Sequence, residues 1–264
     1  MMKQGVLAKV IRSTECWIMK RFDIVSTISY RMMENARQKG VPDSRVLFFP
    51  NWVDVDFINP SVSGQSYRDE WGFSAEDKVV LYSGNIGKKQ GLEIVLDAAE
   101  HYRDDINIHF LIVGQGAHRN ELVQLSRERG LSNLIFEDLQ PYERLPELLA
   151  MVDVHLVLQK KGAADVVLPS KLTSILSIGG HALITAESDT ELGMLSEKYP
   201  GIAHRVEPED TTAFIEGLEF LLEQDTKQPN MIARRYAEEN LGKDLVLLRF
   251  LSELEKITSG EKND

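Results

Sequence analysis

Two stretches of this sequence carry the residue types that hold a phosphate. The first is Ser83-Gly84-Asn85-Ile86-Gly87-Lys88-Lys89-Gln90-Gly91, directly after an apolar run. Glycines let a backbone approach phosphate oxygens, and a following helix offers free N–H groups and the positive end of its dipole. Lys88 and Lys89 add charge that could neutralise a diphosphate. No Gly-Lys-Ser/Thr closes the loop and its spacing is not Gly-x-Gly-x-x-Gly, so it is neither a Walker loop nor a dinucleotide fingerprint. A glycine-rich turn with solvated lysines would have the same sequence.

The second stretch is Val167-Leu168-Pro169-Ser170-Lys171-Leu172. It places a hydroxyl and a cation at a predicted helix start, beside backbone amides without intrahelical partners. It also follows the C-terminal end of a predicted strand, where open α/β sheets bind ligands. A plain helix cap by Ser170 is the alternative. Gly114-Gln115-Gly116 is a weaker signal that a tight strand-to-helix turn explains, and His118 fits a surface or capping position. Leu139, Pro141 and Tyr142 could wall a pocket for a nucleobase, or simply pack a loop.

The elements that must position these loops are legible from periodicity. Short apolar runs fall at Val79–Ser83, Ile106–Val113, Leu134–Glu137, Val154–Leu158, Ala182–Thr185 and Ile202–Val206. Amphipathic stretches alternate with them at Leu92–His101, Arg119–Arg129, Leu145–Met151, Lys171–Ile178, Glu191–Lys198 and Thr212–Leu222. Strands too short to alternate, each followed by a helix, predict a doubly wound parallel sheet with both faces covered. Before them come a helix over residues 5–20, a strand at Asp23–Ile28, a helix at Arg31–Lys39 and a strand at Arg45–Phe49. These look like the last β/α units of another Rossmann-type domain, since two strands make no stable open sheet alone. The expected division is therefore 1–50 as the tail of that domain, 51–66 as a linker, 67–240 as the main domain, and 241–264 as a closing helix and tail. Leu245, Leu247, Leu248, Leu251 and Leu254 give that helix an apolar face that should pack on a body.

Composition narrows the function. With 43% hydrophobic and 27% charged residues, the 264-residue chain is of ordinary globular type. Its net charge of −11 argues against general nucleic-acid binding. Charge is uneven, however: residues 1–40 carry Lys3, Lys9, Arg12, Lys20, Arg21, Arg31, Arg37 and Lys39 against Glu15, Asp23 and Glu34. A basic start on an acidic body suggests contact with an anionic membrane surface, or only a solvated helix face. Cys16 stands alone, no apolar run reaches a membrane span, and Lys9, Arg12 and Glu15 interrupt any leader-like core. The expectation is a cytoplasmic protein, at most peripheral on the inner membrane. Candidate metal ligands are scattered, so no metal or cofactor is expected.

Taken in order, Pro50-Asn51-Trp52-Val53-Asp54, the Ser83–Glu93 loop, Leu111-Ile112-Val113-Gly114-x-Gly116 and Pro169-Ser170-Lys171-Leu172 resemble family 4 glycosyltransferases, retaining enzymes of the two-Rossmann-domain GT-B fold. The similarity spans about residues 20–255 and is nearest to bacterial O-antigen and capsule enzymes, among them N-acetyl-L-fucosamine transferases. The resemblance implies a C-terminal domain that binds a nucleotide-diphosphate sugar, UDP-linked by preference, and an N-terminal domain that binds a lipid-linked saccharide acceptor. It assigns Gly84, Asn85, Lys88, Lys89, Ser170 and Lys171 to the donor diphosphate, and Leu139, Tyr142 and Ser174 to the base and ribose. It leaves the catalytic residues in an upstream domain that this chain largely lacks, so the isolated chain is expected to bind donor without transferring it.

The chain departs from the broad family where Arg and Lys usually flank the loop: Asn85 and Gln90 stand there, so Lys88 or Lys89 must supply the charge. The family's pair of glutamates eight apart falls on Val166 and Ser174. A nucleotide-sugar epimerase of the same architecture, or a non-catalytic donor-binding fragment, fits the same loops.

Overall fold

The structure is a computed structural model that describes residues 5–162 and 168–259. Its elements run α1 (Val6–Met19), β1 (Val25–Thr27), α2 (Tyr30–Gln38), β2 (Val46–Phe48), α3 (Gln65–Trp71), β3 (Lys78–Ser83), α4 (Glu93–His101), β4 (Ile108–Val113), α5 (Arg119–Glu128), β5 (Leu134–Glu137), α6 (Leu145–Ala150), β6 (Val154–Val157), α7 (Ser170–Ser177), β7 (Ala182–Thr185), α8 (Glu191–Lys198), β8 (His204–Val206), α9 (Thr211–Leu222), α10 (Met231–Asn240) and α11 (Lys243–Ser259). They form two compact units: the chain up to Trp52 together with the residues from Lys243 on, and Val53–Gly242.

In the smaller unit β1 and β2 pair in parallel, with Val25 opposite Val46 and Thr27 opposite Phe48. Met33, Ala36, Val41 and Val46 form its core. The closing helix α11 belongs to this unit, and Phe250 stacks on Phe49 at 4.3 Å. Its packing face differs from the expected leucine stripe. Val246 is buried, while Leu248 and Leu251 are more than half exposed, because the contact residues fall at Val246 and Phe250 rather than at 248 and 251. On α1, Leu7, Ile11 and Trp17 are exposed, and the Arg21 guanidinium lies 4.0 Å over the Trp17 ring.

The larger unit is a six-stranded parallel sheet in the order β5-β4-β3-β6-β7-β8. The chain winds outward from β3 to β5, then returns to the centre at β6 and winds the other way. Right-handed crossovers require that pattern to place helices on both faces. Side chains alternate along β3: Val80 and Tyr82 pack with Phe110, Ile112 and helices α4 and α9, whereas Val79 and Leu81 pack with Tyr67, Leu111 and Leu148. A further cluster joins Val157 and Ile184 to Leu172, Leu176 and Ala233 of α7 and α10. β3 and β6 are adjacent, so the order of strand succession reverses between them, and the loops after both open at the same edge.

Two expected strands begin two residues late. Ile106 is 83% exposed, because the Asp105 carboxylate caps a turn by accepting from the Asn107 N–H, and β4 starts only at Ile108. β8 starts at His204 rather than Ile202, which is buried ahead of the strand. Helices α3 and α10 went unrecognised in the sequence. Nor are residues 53–58 a free linker: Val53 donates to the Leu241 carbonyl at 2.8 Å, and Ile58 is buried. Arg234, itself buried, holds the segment down by donating to the carbonyls of Val55, Ile58 and Ser177 at 3.0, 3.1 and 2.8 Å. Arg234→Met removes the one Nη1 whose two hydrogens these three carbonyls share, and is expected to cost about 2–3 kcal/mol in urea unfolding. A loss below about 0.5 kcal/mol, the range of an ordinary surface substitution, would mean that apolar contacts alone hold residues 53–58.

Candidate functional site

The loop after β3 is laced to the loop after β4. The Gly84 N–H donates to Val113 O, the Ile86 N–H to Gln115 O, and the His118 N–H to Ile86 O, at 2.9, 2.9 and 3.0 Å. This close approach explains the Gly114-x-Gly116 spacing. A β-carbon built on Gly114 would stand 1.9 Å from the Gly84 carbonyl oxygen, and one on Gly116 would stand 2.2 Å from that of Ile86. The pair that seemed a weak turn signal thus sets how the phosphate-type loop is held.

Gly84 itself has φ +142°, a conformation that favours glycine. Its N–H is consumed by Val113, so it contributes bare space rather than a donor. The side chains nearest that space are Tyr82, whose hydroxyl lies 3.8 Å from the Gly84 β-carbon position, and Lys171. The Lys171 Nζ lies 3.9 Å from the Gly84 β-carbon position and 3.6 Å from the centroid of the Tyr82 ring. The two candidate stretches therefore meet at Gly84 and Lys171.

The state of Lys171 is unusual. Its stem is half-buried, but the ammonium nitrogen is enclosed and has no hydrogen-bond partner among the described residues. Burial pushes its pKa down to about 7. It sits in the first turn of α7, where the helix dipole further disfavours a cation. A buried lysine without an anion costs stability. The same enclosure strengthens its attraction to any anion that arrives. Ser170 is exposed at the first helical position, and Pro169 stands at the cap and makes no side-chain bond, so Ser170 is not a simple cap. The N–H groups of Ser170 and Lys171 occupy positions with no intrahelical acceptor.

Other predicted residues are placed differently. Lys88 is three-quarters exposed and pairs with Glu121 at 3.3 Å, a contact of the kind worth about 0–1 kcal/mol. Lys89 is exposed, and its carbonyl accepts from the Lys160 N–H. Neither is fixed at Gly84; the enclosed cation there comes from α7. Gln90, in place of the family's usual lysine, closes the loop by accepting from the Gly87 N–H at 3.1 Å. Asn85 is exposed, and its carbonyl accepts from the Tyr82 hydroxyl at 2.7 Å. Leu139 and Tyr142 are both 60% exposed, and Tyr142 leans on Phe57 with ring centroids 5.3 Å apart. They follow β5, two strands out from β3, roughly 10 Å across the sheet. Ser174 is half-buried on α7, three residues after Lys171. Val166 and Val167 lie outside the described residues.

His118 holds the N-cap position of α5, although its side chain makes no cap bond, and it is not a surface residue. It is 2% exposed, Nε2 lies 3.1 Å from Glu93 Oε1, and Nδ1 lies 3.0 Å from Glu121 without hydrogen-bond alignment. Burial would raise the Glu93 carboxyl, but a backbone hydrogen bond, His118 and Lys160 outweigh it and hold Glu93 below the usual range. This buttress braces the back of the loop. Sequence inspection also passed over Asp54-Val55-Asp56, an Asp-x-Asp of the kind that can hold a cation. Here Asp54 Oδ1 accepts from the Asp56 and Phe57 N–H groups and makes a turn. Among the described residues, no group of three or more His, Cys, Asp or Glu could hold a metal ion.

A doubly wound sheet whose loops meet at the reversal between β3 and β6 belongs to the class of open α/β domains that bind ligands at that edge. Comparison with known proteins makes this specific. Residues 64–239 match the family described as glycosyl transferases group 1. The chain belongs to that family, family 4 of the GT-B glycosyltransferases, and its six-stranded unit matches the C-terminal domain of that fold. It is 46% identical over 254 residues to a protein described as a colanic acid biosynthesis glycosyl transferase, WcaI of Escherichia coli. That alignment covers 96% of this chain and 62% of the relative. The glycosyltransferase WbjE of Pseudomonas aeruginosa is 23% identical, over 98% of this chain and 64% of its own. Among solved structures, Anabaena HepE in complex with UDP superposes with a TM-score of 0.77 at 15% identity, covering 97% of this chain and 70% of HepE. The chain thus spans under two thirds of the length of both curated relatives.

Proposed function

We propose that this chain is the donor-binding part of a glycosyltransferase of surface-polysaccharide synthesis, taking a UDP-linked hexose or N-acetylhexosamine and serving transfer to a lipid-linked saccharide. The observation that carries the reading is the enclosed Lys171 ammonium beside Gly84, which has no hydrogen-bond partner among the described residues. As the donor's sugar bond breaks, negative charge develops on the leaving diphosphate. Lys171 and the open N–H groups at the start of α7 are arranged to stabilise that charge without a metal ion. Gly84 leaves room for the phosphate, the exposed Ser170, Lys88 and Lys89 can turn toward it, and Leu139, Tyr142 and Ser174 are the candidates to flank base and ribose. The polysaccharide setting is supported by the likeness to WcaI, and the UDP preference by the fold shared with HepE. Product analysis with UDP-glucose, UDP-N-acetylglucosamine and UDP-N-acetyl-L-fucosamine tests the reading. Sugar release or transfer supports it, whereas recovery of an epimerised donor contradicts it.

The acceptor's hydroxyl must also be held in attack geometry, a contribution that can reach about 7–11 kcal/mol. No described residue is identified for that task, so we expect this chain alone to bind donor and hydrolyse it only at a trace rate. Efficient transfer to a lipid-linked acceptor by the purified chain would contradict that. Membrane association belongs to the same proposal. Lys9, Arg12, Lys20 and Arg21 accompany the exposed Leu7, Ile11, Trp17 and Phe22 around α1. Cations of this kind are each worth about 1 kcal/mol at an anionic surface and weaken with salt. Flotation with liposomes should therefore require anionic lipid at low salt. Equal flotation with neutral lipid would refute the electrostatic part. No helix among the described residues is long and apolar enough to cross a membrane.

A further inference from the structure

We propose that Tyr82 is a positioning residue for the donor diphosphate, coupling the Gly84 loop to Lys171 through opposite ends of one side chain. The inference rests on the diphosphate reading of this site. Tyr82 lies inside β3, 1% exposed, after the aliphatic Val79, Val80 and Leu81. A phenylalanine would fill the same space without a hydroxyl to desolvate, so the hydroxyl needs a partner. It has one: it donates to Asn85 O at 2.7 Å. The peptide unit carrying that carbonyl also contains the Ile86 N–H, which donates to Gln115 O. The 85–86 peptide is therefore fixed at both ends, one of them by Tyr82.

The other end of the contact is the ring. The Lys171 ammonium stands 3.6 Å from its centroid, within the range of a cation–π interaction. Among the described residues this ring face is the interaction recorded for a nitrogen that has no hydrogen bond. Lys88 faces Glu121 of α5, and Lys89 is exposed, so among the described residues the phenol is the titratable group in contact with the ammonium. A lysine has four side-chain torsions, and its half-buried stem would let the ammonium turn to water if the ring were absent. Tyr82 denies it that exit. It also keeps Lys171 beside Gly84, where the loop has no side chain of its own. The sequence signal was the polar atom in an otherwise aliphatic buried strand.

The experiment compares Tyr82→Phe and Tyr82→Leu in the full chain. Two readouts apply: NMR titration of the lysine side-chain nitrogens, with Lys171 assigned by Lys171→Met, and calorimetry with UDP and with inorganic pyrophosphate. Tyr82→Phe should leave the Lys171 midpoint near that of the parent and weaken UDP about threefold through the freed Asn85 peptide. Tyr82→Leu should move the midpoint up toward an ordinary lysine and weaken both ligands by roughly 3- to 30-fold. If folded Tyr82→Leu keeps the parent's Lys171 midpoint and ligand affinity, or if Phe and Leu are indistinguishable, the positioning role is overturned while the diphosphate reading stands. If the parent binds neither UDP nor pyrophosphate and its Lys171 signal ignores both, the diphosphate reading itself falls and takes this role with it.

Discussion

Replacing Lys171 by methionine should make the ligand-free protein more stable and at the same time abolish most diphosphate binding. Methionine keeps the unbranched, apolar stem and removes the enclosed charge. The folded protein holds this ammonium at a pKa of about 7, against 10.5 for a free lysine. Between those values the unfolded chain binds more protons, so parent stability rises as pH increases from about 7 to 10.5. Below pH 7 the full penalty is present, on the order of 5 kcal/mol at about 1.4 kcal/mol per unit of pKa. Lys171→Met should lack this penalty, and its stability should not show the rise above pH 7. Urea unfolding of both proteins at pH 7 and pH 9.5 checks the point. Binding should move the other way. Losing a buried charge-assisted contact costs about 1.5–3 kcal/mol, or roughly 10- to 150-fold in UDP affinity. In the parent, UDP should bind with proton uptake near pH 8, and its affinity should decline as pH rises above 7. A variant that is less stable at pH 7, or that binds UDP as the parent does, would show that Lys171 already has an anion in the free protein.

Gly114→Ala should be as severe by a steric route. Its β-carbon would stand 1.9 Å from the Gly84 carbonyl oxygen and 3.0 Å from that carbonyl carbon, both backbone atoms with no side-chain torsion to relieve them. The φ of +151° adds strain for any residue but glycine. Overpacking and backbone strain together predict a loss of about 3–5 kcal/mol. The clash falls on the residue whose bare surface faces Lys171, so UDP affinity should fall even in molecules that remain folded. Urea midpoints paired with UDP titration at low temperature separate the two effects. Parent-like stability and affinity would mean that the loops after β3 and β4 are not laced as described.

These two residues show what a sequence exposes and what it conceals. The alternation of short apolar runs with amphipathic helices reports burial on both sheet faces, so the parallel doubly wound order follows from pattern alone. Gly84, Ser170 and Lys171 were likewise legible, because glycine after a strand and a cation at a helix start are local features. What stayed hidden depends on where a stem travels. Lys88 and Lys89 looked like the loop's charge; Lys88 pairs with Glu121, Lys89 is exposed, and the enclosed cation beside Gly84 arrives from α7, more than eighty residues later in the chain. His118 looked superficial because its burial is made by α4 and the loop after β3, both distant in sequence. Residues 53–58 resembled a linker because Arg234, which pins them, lies in the unrecognised α10. Ile106 was counted into a strand on hydrophobicity, although an Asp105 turn keeps it in solvent.

Calorimetric titration of this chain with UDP and UMP, each in EDTA and then in Mg²⁺, tests the central claim most directly. An enclosed ammonium where the Gly84 loop meets the start of α7 should favour the second phosphate. The account predicts UDP binding at least about tenfold tighter than UMP, from one further charge-assisted contact, with no change in EDTA. Equal affinity for the two nucleotides, or UDP binding that appears only with Mg²⁺, would contradict it.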